Sequence, residues 1–119
     1  MPLKGYQIIL VEDNRDVLVA TKTMMESWGC AVSAHIKIPE TFSACDLIVT
    51  DFDLGGKITG SDCIKHIRAV LGHDVAAIVM TGHDEHRVRT ELNDNTIPVL
   101  MKPLRPAELR SMIASMRLR

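Results

Sequence analysis

Five residues between positions 12 and 102 hold the chemistry this sequence has to offer: Glu12, Asp13, Asp51, Thr81 and Lys102. Three carboxylates held in one crevice repel one another, and burying their charge costs several kcal/mol unless something offsets it. A hard divalent cation would offset it, and Mg²⁺ commonly takes one or two carboxylates together with a phosphate. Lys102 adds a compact positive charge and Thr81 a hydroxyl donor, a set suited to stabilising a transferring phosphoryl group. A carboxylate can itself be the nucleophile, and Asp51 is best placed for that role. Taken singly, each residue is ordinary: an acid at a strand end caps a helix, Thr81-Gly82 is a turn, and Lys102-Pro103 is a strand exit. Their joint occurrence carries the reading.

Each of these residues follows an apolar run. Tyr6 to Val11 reads as a buried strand ending at Glu12 and Asp13. Asn14 or Asp13 caps the next helix, which carries Val17, Leu18, Met24, Met25 and Trp28 on one face and stops at Gly29. Cys30 to Ala34 forms a second strand. Between His35 and Cys45, Pro39 permits a short helix through Phe42. Leu47 to Thr50 then delivers Asp51, and a loop with Gly55, Gly56 and Gly60 leads to a helix started by Ser61 or Asp62. That helix shows Ile64, Ile67, Val70 and Leu71 and ends at Gly72. Val75 to Met80 precedes Thr81, and Ile97 to Met101 precedes Lys102. The intervening helix, Asp84 to Asn93, has only Val88 and Leu92 as an apolar face, so it is expected to be marginal and mobile. A last helix opens at Pro106 and shows Leu109, Met112, Ile113 and Met116. Apolar strands alternating with helices imply a parallel sheet covered on both faces, with all strand C-termini on one edge. In such open sheets that edge is where ligands bind.

The bulk numbers narrow the function classes. A chain of 119 residues fits one domain, and 46% hydrophobic with 24% charged residues is a globular composition. A formal net charge of −1 offers no field to gather nucleic acid. Cys30, Cys45 and Cys63 each sit in or beside apolar stretches, as reduced structural thiols of a cytosolic protein do. No signal peptide opens the chain and no apolar run approaches membrane-spanning length, so a cytoplasmic domain without membrane contact is expected.

VED after the first strand, VTD after the third, MTG after the fourth and MKP after the fifth together resemble the receiver domain of two-component response regulators. The resemblance runs from about Gln7 to Met116. It implies a flavodoxin-like, doubly wound α/β fold with five parallel strands ordered 2-1-3-4-5 and helices on both faces. It further implies that Asp51 accepts a phosphoryl group from phosphohistidine, Asp13 and Asp51 bind Mg²⁺ directly, Glu12 binds it through water, and the Asp53 main-chain carbonyl is a further ligand. Thr81 would contact the phosphoryl oxygens, Lys102 would pair with them, and Lys102-Pro103 would be cis. The implied partner is a histidine kinase or a phosphotransfer domain, with homodimerisation as a further option, and the role is regulatory rather than enzymatic. Three features depart from the family pattern: Val99 stands where an aromatic switch residue is frequent, the segment before the third strand is short, and Asp53 brings an extra carboxylate. The tail KPLRPAELRSMI is similar to receivers fused to hybrid sensor histidine kinases, so a receiver from such a kinase is expected ahead of a stand-alone regulator, and an output domain is not expected within these residues.

Other readings remain open at this stage. Asp51-Phe52-Asp53-Leu54 imitates the DxDx motif of haloacid-dehalogenase-like phosphatases, with Asp53 as general acid/base, although that motif normally ends a first strand. An interaction module that has lost phosphorylation is a third option. His83 and His86 share a spacing that could hold a metal on one helical face; His35, His66 and His73 have no such spacing.

Overall fold

The computed structural model describes residues 3–82 and 84–118. Five strands and four helices alternate along them: β1 (Gln7–Val11), α1 (Arg15–Ser27), β2 (Ala31–His35), β3 (Leu47–Asp51), α2 (Gly60–Leu71), β4 (Ala76–Thr81), α3 (Glu85–Leu92), β5 (Val99–Met101) and α4 (Pro106–Arg117). The sheet is wholly parallel in the order β2-β1-β3-β4-β5. Pairing of Val11 with Thr50, Asp51 with Met80, and Thr81 with Met101 puts the ends of the central strands level with one another. Side chains alternate across that sheet, so each central strand serves two cores. Ile8, Leu10, Leu47, Val49, Ile78 and Met80 pack with Leu18 and Met25 of α1 and with Leu109 and Ile113 of α4. Ile9, Val11, Ile48, Ala77 and Val79 pack with Cys63, Ile64 and Ile67 of α2 and with Val88 of α3.

Local chemistry sets the element boundaries. Asn14 rather than Asp13 caps α1, its Oδ1 accepting from the Val17 amide at 3.1 Å, so the Asp13 carboxylate is not used as a cap. The N-cap of α2 is Thr59, two residues earlier than Ser61, and it forms a capping box with Asp62. Gly72, at φ +79°, ends α2 in the left-handed conformation expected of it. Val70 of α2 is 56% exposed rather than part of the buried face.

Two expectations fail on the β2 side. Residues 36–46 contain no helix: Pro39 is buried, and Ile38 and Phe42 reach the core from an irregular path. Only eleven residues separate β2 from β3, and a stretch holding Pro39 with two β-branched isoleucines nearby packs those side chains without completing a helical nucleus. Nor is β2 an all-apolar buried strand. It is an edge strand whose Ala31 and Ser33 face solvent, because no helix lies over them.

Candidate functional site

The C-terminal edge of the sheet gathers the acids. Carboxylate oxygens of Glu12, Asp13 and Asp51 all lie within 4.8 Å of one another. Glu12 follows β1, its amide donating to the His35 carbonyl at 3.0 Å, and its side chain is fully buried. The Asn14 amide donates to Glu12 Oε2 at 3.3 Å. Asp13 is exposed, whereas Asp51 is buried at the end of β3.

Lys102 reaches the same point from beyond β5. Its Nζ lies 2.5 Å from Glu12 Oε1 and 3.3 Å from Asp51 Oδ2. The Lys102 amide donates to the Thr81 carbonyl at 2.7 Å, and the following Lys102-Pro103 bond is cis as expected. Thr81 is buried at the end of β4. The loop after Asp51 is braced underneath, with the Phe52 amide donating to the Met80 carbonyl at 2.8 Å and the Gly60 amide to the Phe52 carbonyl at 2.6 Å.

Burial dominates the electrostatics. It pushes Glu12 up to about 7 despite its bond to Lys102, and the charge of Asp51 adds to the rise. Burial also raises Asp51, against the opposing pull of Lys102. Burial works to lower Lys102, but its contacts with Glu12 and Asp51 prevail and leave it raised. One ammonium is thus too little positive charge for this pocket. An all-oxygen donor set, in which burial holds Glu12 and Asp51 back from ionising, fits a hard divalent cation such as Mg²⁺.

Glu12, Asp13, Asp51 and Lys102 are therefore brought together, and Thr81 ends the strand beside β3. The Asp53 side chain is engaged differently: its Oδ1 lies 3.6 Å from Arg87 Nη2 on α3, and residue 53 bridges Thr59. Arg87 was invisible in the sequence, because nothing in its neighbourhood marks which exposed α3 side chain turns toward the loop after β3. The Glu12–Lys102 ion pair was also missed, since the family pattern directs attention to lysine and phosphoryl group. His86 is exposed on α3, while His83, its suggested companion in a metal pair, lies outside the described residues.

Comparison with known proteins agrees with this fold. The sequence model of the response regulator receiver domain matches residues 8–114. A response regulator receiver domain protein from Clostridium thermocellum superposes with a TM-score of 0.79 at 22% identity, covering 95% of this chain and 94% of its own. A response regulator receiver protein from Sinorhizobium medicae gives 0.82 at 19% identity, covering 98% and 97%. Full-length FixJ from B. japonicum gives 0.76 at 20% identity, covering 95% of this chain but 58% of its own. A comparison with curated protein sequences gives no match.

Proposed function

This chain belongs to the response regulator receiver domain family, and on that premise we propose that Asp51 accepts a phosphoryl group from a phosphohistidine. The family's domains are regulatory signalling modules, working with histidine kinases or phosphotransfer domains. The observation that carries the assignment is the meeting of Glu12, Asp13, Asp51 and Lys102 at the edge of the sheet.

In the proposed step an Asp51 carboxylate oxygen attacks phosphorus, forming an acyl phosphate, while the P–N bond to the donor imidazole breaks. The leaving nitrogen keeps the electron pair and is protonated from solvent. Lys102, held by Glu12, stands where it can balance charge on the phosphoryl oxygens, and Thr81 supplies a hydroxyl beside it. Asp13, Asp51, the Asp53 carbonyl and, through water, Glu12 would hold Mg²⁺, which when bound supplies charge neutralisation to the transfer. The conformational response would travel through α3 and its loop without an aromatic switch, since Val99 occupies that position. No described helix is long and apolar enough to cross a membrane. In this proposal the receiver works in the cytoplasm and, by the likeness of its tail, is borne on a hybrid histidine kinase.

The phosphatase alternative needs the Asp53 carboxylate as general acid/base. Its engagement by Arg87 and its place after the third strand rather than the first speak against that. Intact mass after incubation with acetyl phosphate and Mg²⁺, for wild type and Asp51→Asn, tests the assignment. One phosphoryl increment is expected in wild type, absent from the variant and abolished by EDTA. Labelling that survives Asp51→Asn would overturn it, and release of inorganic phosphate without labelling would favour the phosphatase.

A further inference from the structure

Arg87 stands against the loop that leaves Asp51. Its Nη2 is 3.6 Å from Asp53 Oδ1, its Cζ lies 5.6 Å from the centroid of the Phe52 ring, and its Nε is 3.7 Å from Glu91 Oε1. Phe52 and Asp53 are the two residues directly after Asp51. The Phe52 side chain is fully buried, so its ring is a fixed plate that orients the guanidinium by cation–π attraction. The ion pair itself is half-exposed and contributes little to stability. Its electrostatic consequence is larger.

Two residues of chain span at most about 7 Å, so the Cα atom of Asp53 lies within one Debye length of that of Asp51. Lys102 is already committed to Glu12 and Asp51. An anionic phosphoryl donor therefore approaches past a fourth carboxylate on the adjoining loop, and Arg87 is a cation paired with it. We propose that Arg87 is a donor-admitting residue, which cancels the charge of Asp53 and offers guanidinium N–H groups to the oxygens of the incoming phosphoryl group. This rests on the phosphoacceptor reading above. Five N–H donors in a planar fork let one guanidinium serve a carboxylate and a phosphoryl group together. Arg87 takes no part in the bond exchange: with acetyl phosphate as donor, the Asp51 O–P bond forms and acetate leaves with the electrons of the broken P–O bond.

The test is the initial rate of Asp51 phosphorylation by acetyl phosphate at saturating Mg²⁺, read by intact mass for wild type, Arg87→Gln, Asp53→Asn and the double variant. Arg87→Gln is expected to be slower by roughly threefold or more at low ionic strength, with the deficit shrinking as salt is added. Asp53→Asn, which removes the carboxylate paired with Arg87, is expected to react faster than wild type at low ionic strength, and the double variant should regain most of the rate lost in Arg87→Gln. Arg87→Lys, which keeps the charge, should retain more of the rate than Arg87→Gln. Arg87→Gln reacting at the wild-type rate, or a deficit that persists in the double variant, overturns the proposal. A wild type that takes no phosphoryl group at all sinks the underlying reading instead, so the two failures are told apart.

Discussion

Lys102 Nζ and Glu12 Oε1 meet at 2.5 Å across ninety residues of sequence, yet Glu12 still prefers its proton up to about pH 7. Among the described residues one ammonium, just past the end of β5, faces three carboxylates at the ends of β1 and β3. Burial of Glu12 outweighs the ion pair, as it does wherever the desolvation of a charge exceeds its Coulombic return.

A pH dependence follows for the metal-free protein. A carboxyl whose folded pKa lies above its unfolded value binds more protons in the folded state, so stability falls as pH rises between the two. For Glu12 that window runs from about 4.5 to about 7, and Asp51 is raised in the same direction. Lys102 is raised above its ordinary value, so its contribution is complete below that value and constant across the window. The loss ascribed to Glu12 is at most about 3 kcal/mol. Urea unfolding in EDTA from pH 5 to pH 7.5 is expected to show this decline, and Mg²⁺ at pH 7.5 to reverse much of it. Burial lowers His35, which acts in the opposite direction over the lower part of that window. The same pH profile for wild type and Glu12→Gln in EDTA, or no response to Mg²⁺, would therefore contradict this account of the pocket.

Gly60 ties the start of α2 to the acceptor strand. A Cβ there would lie 2.7 Å from the Asp51 carbonyl oxygen and 3.2 Å from Phe52 Cα, both backbone atoms that cannot step aside. Gly60→Ala is expected to cost about 1–3 kcal/mol, the usual range for overpacking. Because the displaced backbone belongs to Asp51 and Phe52, phosphorylation should slow as well. Alanine at Gly55 or Gly56 meets no neighbour within 4 Å and strains only its own loop. Equal thermal stability and phosphorylation rate for Gly60→Ala and wild type would show that the loop after β3 shifts freely.

Most of the edge was legible because Glu12, Asp51, Thr81 and Lys102 each directly end or follow a short apolar run, with Asp13 next to Glu12. A parallel sheet then does the assembling, so no local motif was needed. Residues 36–46 were less legible: Pro39 is compatible with a helical first turn, and only packing of Ile38 and Phe42 against the core decides for an irregular path. The exposure of β2 follows from that missing cover rather than from its own composition. Arg87 lay beyond reach for a different reason. It is one of several charged residues on α3, and its rotation toward Phe52 and Asp53 is a tertiary choice.

The cysteines give an independent check on the core. All three are unpaired and buried. Burial pushes the thiols of Cys45 and Cys63 up to about 11, so at pH 8 only about one molecule in a thousand carries each thiolate. Labelling of native protein by a disulfide reagent at pH 8 should be slower than that of urea-unfolded protein by orders of magnitude and should accelerate with pH. Native Cys45 or Cys63 reacting at the unfolded rate would mean that the core between the sheet and α2 opens readily.

Helix α3 is held by one buried residue, Val88, with Leu92 half-covered beside it. Beside these stand the Asp84 cap and the contacts of Arg87 with Asp53 and Phe52. The exposed ion pairs of Arg89 with Glu85 and Arg87 with Glu91 add at most a few tenths of a kcal/mol each. Few apolar contacts and an exposed backbone mark a segment that opens before the rest of the fold. In native-state hydrogen exchange the amides of Val88 and Asn93, bonded to the Asp84 and Arg89 carbonyls, should exchange ahead of those in β4. Val88→Ala removes the anchor, worth about 1–2 kcal/mol. If α3 opens on its own, that loss should speed exchange within α3 more than it lowers protection in β4. Should α3 and β4 instead lose protection by equal amounts, α3 belongs to the main cooperative unit, and phosphorylation would have to move the whole domain rather than this one helix.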